Sequence, residues 1–355
     1  MKIHEKYINR CIQLAQNGLG TTYPNPLVGS VVVHNNMIIG EGWHQQAGKA
    51  HAEVNAINSV KNKDLLKDAT IYVSLEPCSH YGKTPPCSDL IIAHGIKKVV
   101  IGSIDPFAKV AGRGIKKLMD AGCEVRVGVL EKQCRELNER FFTFHTEMRP
   151  YIILKWAQTG DNFIAPINQP NARPVWITNR FSGQLVHKWR SEESGILVGT
   201  NTALKDNPSL TVRKWTGNHP VRLVLDRELK ISKEFSLYDN TVKTIIITEK
   251  KTEEGSGNTI FEQIDFSQDL VKAITEICYK YEIQSLIVEG GRYTLQQFID
   301  SGTWDEARIF TGNKRFEKGI PAPELIGTLN KQYSIQGDML EIFENSHLLN
   351  NKKKL

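Results

Sequence analysis

Residues 28–40, V-G-S-V-V-V-H-N-N-M-I-I-G, decide the architecture of the first half of this 355-residue chain. Two apolar runs flank Asn35-Asn36, and asparagine tolerates the positive φ values that a two-residue turn between antiparallel strands requires. The segment therefore predicts a β-hairpin. The apolar residues of positions 2–17 recur at helical spacing, which predicts an amphipathic helix before the hairpin.

Short apolar runs alternate with helical patterns beyond the hairpin. The runs that predict strands are A-T-I-Y-V-S-L at 69–75, K-V-V-I-G at 98–102 and C-E-V-R-V-G-V at 123–129. Helices are predicted from about His51, after Pro86, over 114–120 and over 131–143. Such alternation after a single hairpin is typical of an α/β domain of three layers, with a mixed, largely parallel sheet in the middle.

A second periodic region begins at R-P-Y-I-I-L-K-W, residues 149–156, where Arg149-Pro150 ends the preceding helix. A chain of this length accommodates two domains, and we expect them at residues 1–146 and 147–355. The second domain is also predicted to be α/β, and the polar residues 249–259 are expected to form a surface loop. Its strands are predicted at W-I-T (176–178), G-I-L-V-G-T (195–200), V-R-L-V-L-D (221–226), K-T-I-I-I-T (243–248), S-L-I-V-E (285–289) and E-A-R-I-F-T (306–311).

The composition is that of an ordinary folded protein, with 40% hydrophobic and 24% charged residues. The sequence contains no run of roughly 18 apolar residues, the length that a membrane span needs, and its start lacks the apolar stretch of a signal peptide. Six cysteines are too sparse for a disulfide framework in a chain of this size. We therefore expect a cytoplasmic protein with reduced thiols and no membrane partner.

The net charge of +6 is concentrated in the first 150 residues, where 19 Lys and Arg face 14 Asp and Glu; the remainder has 26 against 25. A surface that binds a polynucleotide is expected to carry a long basic run or a basic stripe interleaved with aromatic residues. The basic residues of this sequence form neither. An anionic small molecule accounts for the mild excess equally well. We expect such a small molecule, and no nucleic acid, as the partner.

The strongest chemical signal combines H-A-E at 51–53 with P-C-S-H-Y-G-K-T-P-P-C at 77–87. His51, Cys78 and Cys87 offer Zn²⁺ one imidazole nitrogen and two thiolates. These ligands leave the fourth tetrahedral position to water, as a catalytic zinc site requires. A lone histidine or cysteine is more simply explained as a buried core residue, but that explanation does not account for the whole set in this order.

Glu53 and the order of the motif indicate the reaction type. Glu53 follows His51 by two residues at the start of one predicted helix, so their side chains diverge and Glu53 is placed to hold the water. The segment after S-L-E predicts Cys78 at a helix start, where the dipole favours thiolate. The order His-x-Glu, Pro-Cys, Cys is the signature of zinc deaminases, in which the glutamate moves a proton to the departing ammonia. The other cysteines are predicted to be packing residues: Cys11, Cys123, Cys134 and Cys278.

Eight residues separate Cys78 from Cys87. Most nucleoside and nucleic-acid deaminases place only two residues between these cysteines, so the spacing indicates a particular branch of the zinc deaminases. With its companion motifs, the chain resembles the bifunctional riboflavin-biosynthesis deaminase-reductases over nearly its whole length. The front motifs are P-N-P-L-V-G-S-V-V-V (24–33), G-W-H-Q-Q-A-G-K-A-H-A-E (42–53) and V-A-G-R-G-I (110–115). The rear motifs are K-W-A-Q-T-G-D (155–161), W-I-T (176–178), V-G-T-N-T-A-L-K-D-N-P-S-L-T-V-R (198–213) and V-E-G-G (288–291).

The resemblance implies a cytidine-deaminase-like three-layer α/β/α domain followed by a dihydrofolate-reductase-like α/β domain. It implies two consecutive reactions on a phosphoribosylated pyrimidine. The first domain would deaminate 2,5-diamino-6-ribosylamino-4(3H)-pyrimidinone 5′-phosphate with Zn²⁺. The second would reduce the ribosyl group to ribityl with NADPH, giving 5-amino-6-ribitylamino-uracil phosphate, and a homo-oligomer is expected.

The resemblance also assigns residues, position by position. Asn25, His44 and Lys83 would contact the deaminase substrate. An amide suits the mixed donor and acceptor edge of a pyrimidine, and lysine suits a phosphate. The residues assigned to NADPH are Gln158, Trp176, Thr202, Asp206, Gly291, Arg292, Tyr293, Thr294, Leu295, Gln296 and Gln297. The residues assigned to the reductase substrate are Lys155, Arg190, Leu210, Arg213 and Glu289.

Three positions depart from the family pattern. Thr159-Gly160-Asp161-Asn162 stands where S-L-D-G is common, Pro174 stands where serine is common, and D-P-F-A at 105–108 replaces D-P-N-P. The altered reductase segments leave open a zinc deaminase whose second domain is not catalytic. The basic first half leaves open a nucleic-acid-editing deaminase, although no footprint for a polynucleotide is visible.

Overall fold

The computed structural model describes residues 2–81, 85–106, 112–167, 175–252 and 255–346. The chain forms two compact units, Met1–Met148 and Arg149–Leu355. Each unit has its own sheet and its own hydrophobic core. Within the described ranges, no helix is both long enough and apolar enough to cross a membrane.

The first unit contains six helices and five strands in its described part. The helices are α1 Lys2–Ala15, α2 Ala52–Ser59, α3 Cys87–Ala93, α4 Arg113–Asp120, α5 Glu131–Leu137 and α6 Glu139–Glu147. The strands are β1 Gly29–His34, β2 Met37–Trp43, β3 Thr70–Leu75, β4 Lys98–Ser103 and β5 Glu124–Val127. Short 3₁₀ turns occupy Gln16–Gly18 and Lys63–Asp68.

The sheet of this unit has the order β2-β1-β3-β4-β5. The predicted hairpin is confirmed: β1 and β2 are antiparallel and joined at Asn35 and Asn36, whose φ values are 48° and 62°. β3, β4 and β5 are parallel, as the strand and helix alternation predicts. Val31 faces a core shared with α1 and α5, whereas its neighbour Val32 faces a core shared with α2, α3 and α4. Helices therefore cover both faces, and the three-layer prediction is confirmed.

The helix predicted over 131–143 is instead two helices, and Asn138 lies at the break. Its backbone has φ −110°, outside the helical region. Its side chain accepts a hydrogen bond from the amide of Leu27 and donates one to the Leu27 carbonyl, both at 2.8 Å. The break therefore allows Asn138 to make two buried hydrogen bonds that hold the P-N-P-L segment. The apolar periodicity of the sequence could not indicate this break.

The prediction that Cys78 begins a helix is wrong. Cys78 lies in an irregular segment after β3, and the next helix, α3, begins at Cys87. The reason is the proline pattern, because Pro86 is pre-set for the extended backbone that precedes a helix. The N-terminus of α3 therefore lies at Cys87, the second cysteine of the motif.

The second unit has eleven strands and four helices in its described part. The strands are β6 Tyr151–Thr159, β7 Phe163–Pro166, β8 Gly195–Gly199, β9 Val221–Leu225, β10 Thr244–Thr248, β11 Thr259–Gln263, β12 Ser285–Val288, β13 Glu306–Gly312, β14 Gly319–Pro321, β15 Thr328–Ile335 and β16 Asp338–Glu344. The helices are α7 Arg180–Glu192, α8 Thr200–Asp206, α9 Leu270–Lys280 and α10 Arg292–Asp300, with a 3₁₀ turn at Ser236–Tyr238.

Nine of these strands form one sheet of order β11-β10-β9-β8-β12-β6-β13-β16-β15. The strands from β11 to β13 are parallel to one another, and β16 and β15 complete the edge in antiparallel register. β14 and β7 form a separate antiparallel pair. Because parallel strands share one direction, their carboxyl ends meet along one edge of the sheet, where α/β proteins place ligands.

One strand prediction in this unit is wrong, and β7, β11, β14, β15 and β16 were not predicted. W-I-T at 176–178 is irregular backbone rather than a strand. A pattern of three residues is too short to distinguish a strand from a loop. Here the backbone is a loop, and its central residue, Ile177, is buried. The β15–β16 hairpin was not predicted, because β15 is exposed along most of its length and carries no apolar alternation. Its turn at Gln336-Gly337, with positive φ at both residues, is the signal that could have found it.

Replacing Asn138 with alanine should lower the free energy of unfolding by about 2 to 4 kcal/mol, because it leaves the amide and carbonyl of Leu27 buried without partners. Asn17→Ala is the matched control, since Asn17 is exposed and donates a single hydrogen bond to the Leu14 carbonyl; its effect should stay within about 0.5 kcal/mol. Urea denaturation followed by circular dichroism measures both. Equal midpoints for the two variants would contradict the structural role of Asn138.

Candidate active sites

The first candidate site is a cluster of three side chains at the ends of three elements. His51 is the residue before α2, Cys78 follows β3, and Cys87 begins α3. The His51 Nδ1 atom lies 3.6 Å from the Cys78 sulfur and 3.3 Å from the Cys87 sulfur. All three ligand atoms lie within 4.8 Å of one another, so one ion can reach them all. Two thiolates and one imidazole are a donor set that fits Zn²⁺.

Hydrogen bonds within the cluster prepare one thiol for ionisation. The Cys87 amide, at the start of α3, donates to the Cys78 sulfur at 3.3 Å. A hydrogen bond from the Cys87 thiol, and further ones from His51 and this amide, hold the pKa of Cys78 well below its ordinary value. The same pairing raises the pKa of Cys87. The helix start that was expected beneath Cys78 therefore acts on its sulfur from α3.

Glu53 lies beside the cluster but is not one of its three ligand residues. It is 3% exposed in the first turn of α2, and its carboxyl group makes a hydrogen bond with the Cys87 thiol. Burial raises the pKa of Glu53 to about 7, and the nearby Cys78 sulfur acts in the same direction. A carboxyl group with this pKa can both accept and return a proton at neutral pH.

Asn25 and His44, which the resemblance assigns to the deaminase substrate, contact each other. The His44 ring lies 5.4 Å from the His51 ring, edge to face. His44 Nδ1 donates to the Ala50 carbonyl at 3.1 Å, so Nε2 accepts from the Asn25 amide nitrogen at 3.0 Å. This orientation leaves Asn25 Oδ1 as the group that can meet a ligand. Lys83, the third assigned residue, lies outside the described residues.

Glu76 is a residue of this site region that sequence reasoning missed. It is 4% exposed and stands two positions before Cys78. Its carboxylate accepts from the amides of Gly112 and Gly114, both at 2.9 Å, and more weakly from those of Asp105 and Ile115. A Cβ on Gly114 would lie 2.0 Å from the Pro77 carbonyl oxygen. Glu76 thus ties the start of α4 to the segment that carries Cys78; an acidic residue just before Pro-Cys was the available signal.

The second candidate site is a cavity of about 1240 Å³ in the second unit. It lies at the carboxyl ends of parallel strands, since Gly199 ends β8, Leu225 ends β9 and Glu289 follows β12. Gly290 and Gly199 both pack against Thr294, where a Cβ would come within 2.8 Å and 2.6 Å of its side chain. These glycines let the start of α10 approach the strand ends closely.

Charged side chains converge on one part of this cavity. Arg190 Nη2 contacts Glu289 Oε2 at 2.7 Å, and Lys155 Nζ lies 3.9 Å from Glu289 Oε1. Burial alone would raise the pKa of Glu289, but Arg190 and Lys155 outweigh it and hold that pKa at about 2. Burial lowers the pKa of Lys155. The carboxylate is therefore ionised at neutral pH, and the cationic groups around it suit an anionic ligand.

The structure brings most of the residues assigned to the reductase together around this cavity. Those that line it are Lys155, Trp176, Arg190, Thr202, Asp206, Leu210, Arg213, Glu289, Gly291, Arg292, Tyr293, Thr294, Gln296 and Gln297. Gln158 and Leu295 lie elsewhere. Gln158 accepts from the Trp156 indole at 2.9 Å and donates to Asn162, and Leu295 is fully buried in the core.

His187 also lines the cavity and was not among the residues singled out from the sequence. It is 3% exposed and precedes Arg190 by three residues on α7. Positions three apart share a helix face, so the assignment of Arg190 to the substrate was the signal that could have found it.

Comparisons with known proteins match a different family model to each half of the chain. Residues 1–103 match the cytidine and deoxycytidylate deaminase zinc-binding region, and residues 150–316 match the RibD C-terminal domain. The chain is 42% identical over 332 residues to the riboflavin biosynthesis protein RibD of Aquifex aeolicus, covering 91% of each chain. It is 33% identical over 356 residues to RibD of Escherichia coli, covering 91% of this chain and 89% of the relative.

A solved structure from Thermotoga maritima is similar over 97% of this chain and 99% of its own, with a TM-score of 0.87 and 37% identity. That protein is described as a diaminohydroxyphosphoribosylaminopyrimidine deaminase/5-amino-6-(5-phosphoribosylamino)uracil reductase. A structure of Acinetobacter baumannii RibD is similar with a TM-score of 0.88 and 29% identity.

The fold and the two sites define a zinc-dependent deaminase joined to a reductase. The chain belongs to the RibD family of riboflavin biosynthesis proteins. It is a bifunctional enzyme whose cofactors are zinc for deamination and NADPH for reduction. The alternatives of a second domain without catalytic function and of a nucleic-acid-editing deaminase are accordingly set aside.

Cys87→Ser should lower the zinc content from one ion per chain toward none, because a serine hydroxyl is a poor replacement for a thiolate ligand. Cys123→Ser is the matched control: Cys123 is a buried thiol that donates to the Ile96 carbonyl, and serine can make the same bond. Metal analysis after dialysis of both variants tests this. Equal zinc contents would show that Cys87 is not a ligand.

Proposed function

We propose that residues 1–146 deaminate 2,5-diamino-6-ribosylamino-4(3H)-pyrimidinone 5′-phosphate and that residues 147–355 reduce the deaminated product. The observation that carries the first half is the convergence of His51, Cys78 and Cys87 beside the buried Glu53. The observation that carries the second is the large cavity at the strand ends. The substrate named for the Thermotoga maritima relative supports the choice of pyrimidine.

Glu53 is the proposed proton carrier of the deamination. His51, Cys78 and Cys87 would hold the zinc ion, which would supply a water molecule of lowered pKa as the nucleophile at neutral pH. Glu53 accepts a proton from the attacking water and passes it to the ring nitrogen beside the attacked carbon. It then carries the second water proton to the amino group, which leaves as ammonia when its C–N bond breaks and the water oxygen becomes the ring carbonyl. Its pKa of about 7 suits both transfers.

Substrate binding at the first site is assigned to Asn25, His44 and Lys83. Asn25 Oδ1 is oriented away from His44 and can accept a hydrogen bond from an amino group of the pyrimidine. Burial lowers the pKa of His44, so this ring remains neutral and continues to orient the amide. Lys83 supplies a positive charge for the phosphate by its correspondence to the family motif.

The proposed reductase site divides the cavity between two ligands. NADPH supplies the hydride, and its binding is assigned to the residues of α8, α10 and Trp176 named above. Arg190 and Arg213 suit the substrate phosphate, because guanidinium groups donate to phosphate in pairs. Lys155 and Glu289 set an ammonium donor beside a carboxylate acceptor, an arrangement suited to the hydroxyl groups of a sugar. Gln158 and Leu295, which the resemblance also assigns to NADPH, do not line the cavity.

Three further assignments belong to this proposal. The protein is assigned to the cytoplasm, which suits six cysteines present as thiols. Its partner is a phosphoribosylated pyrimidine rather than a nucleic acid, since the basic residues of the sequence form no long run and no stripe interleaved with aromatic residues. It assembles as a homo-oligomer, by its resemblance to the family.

Glu53→Gln should slow deamination by about 10²- to 10⁴-fold, because the amide keeps the size of the side chain but cannot shuttle a proton. The zinc content should stay unchanged, and reduction of the already deaminated substrate should proceed close to the parent rate. Ammonia release and NADPH oxidation measure the two reactions separately. Loss of reduction in a folded Glu53→Gln protein would require one composite site instead.

Asp206→Ala is the reciprocal variant, since Asp206 ends α8 at the cavity. It should weaken NADPH binding in a fluorescence titration and slow reduction, while ammonia release from the first substrate stays at the parent rate. Unchanged NADPH affinity would remove Asp206 from the cofactor site.

A further inference from the structure

The loop after α8 carries two residues assigned to the reductase substrate, yet it forms neither helix nor strand. Residues 207–213 are irregular. Leu210 in this loop has a left-handed φ of 53° and is only 2% exposed, within the core that contains Trp189. Backbone amides in such a segment have no ladder partner and need acceptors from elsewhere.

Two histidines supply acceptors to consecutive amides of this loop. The Arg213 amide donates to Nδ1 of His187 at 3.0 Å, and the Val212 amide donates to Nδ1 of His219 at 3.1 Å. His187 is 3% exposed, whereas His219 is exposed. The His187 ring is therefore enclosed by its neighbours, whereas solvent surrounds the His219 ring. The two bonds are chemically alike, but only the bond to His187 holds a residue that lines the cavity, Arg213.

The surroundings of His187 keep it in the form that can accept. Arg190 faces it from its own helix, Arg213 and Lys214 from the loop, and Glu289 from the segment after β12. Burial, reinforced by the three cations, lowers the pKa of His187 to about 4. Only the neutral ring has an unprotonated Nδ1. The bond to Arg213 therefore persists across the pH range in which the enzyme works.

We propose that His187 is a positioning residue of the reductase, whose neutral imidazole holds the backbone of Arg213 so that its side chain lines the cavity together with Arg190. The proposal rests on the proposed function, because that function gives Arg213 its contact with the substrate phosphate. One face of α7 then carries both a direct contact, Arg190, and the residue that orients the other.

A positioning role predicts a change in substrate affinity rather than in chemistry. His187→Ala should raise KM for the phosphorylated, deaminated substrate by about tenfold, the scale of one hydrogen bond. Its kcat should change less than about twofold, and its NADPH affinity should not change, because the reacting atoms and the cofactor contacts are untouched.

Conservative variants separate this role from packing. His187→Asn places a carbonyl oxygen near the position of Nδ1 and should restore most of the parent KM. His187→Gln extends its acceptor toward the position of Nε2 and should behave like alanine, so it replaces His187→Ala if that variant does not fold. His219→Ala is the matched control and should change KM by less than about twofold, because the bond it removes holds Val212, which is not assigned to the substrate.

The decisive comparison combines His187→Ala with Arg213→Ala. If His187 acts through Arg213, the double variant has the same KM as Arg213→Ala alone, because the positioned group is already absent. Additive effects in the double variant, or a KM for His187→Asn as high as for His187→Ala, would overturn the positioning role while leaving the reductase assignment intact. An Arg213→Ala enzyme with parent KM would overturn the phosphate assignment and the positioning role with it.

Discussion

The hydrogen bond from the Cys87 amide to the Cys78 sulfur is the contact on which the first active site depends. It closes the segment between the two cysteines and brings the end of β3 against the start of α3. A sulfur that receives an N–H at a helix start is stabilised as thiolate, the form that binds zinc. His51 is the residue immediately before α2, so the starts of two helices and the segment after one strand supply the three ligands.

Glu76 extends the same constraint away from the metal ligands. A carboxylate that is 4% exposed is costly unless donors surround it, and four backbone amides between Asp105 and Ile115 meet that requirement. Because Pro77 and Cys78 follow directly, the charge of Glu76 fixes the ligand segment against α4. The close approach of Gly114 to the Pro77 carbonyl shows why this position carries no side chain.

The sequence predicted the first site well because its chemistry is concentrated in two short motifs, and covalent spacing limits where His51, Cys78 and Cys87 can lie. It correctly predicted a helix after Pro86, where α3 begins, but it also placed a helix start at Cys78, which lies in irregular backbone. The second site was predicted less completely. Residues 291–297 were assigned to the cofactor as one run, but α10 is a helix, so Leu295 turns into the core. The β15–β16 hairpin could not be predicted from apolar periodicity, because β15 is an exposed edge strand.

The two units also differ in how they manage buried charge, and this difference explains what the sequence could not reveal. In the first unit, the thiolates of Cys78 and Cys87 would be neutralised by the bound zinc ion, and the residue types of the ligands are enough to indicate that metal. In the second, Arg190, Lys155 and Glu289 compensate one another, and the excess of positive charge is left to the ligand. A histidine among these cations is forced to remain neutral and becomes an acceptor. That property belongs to the surroundings of His187, assembled from α7, the loop at 207–213 and the end of β12, and no local pattern of residues encodes it.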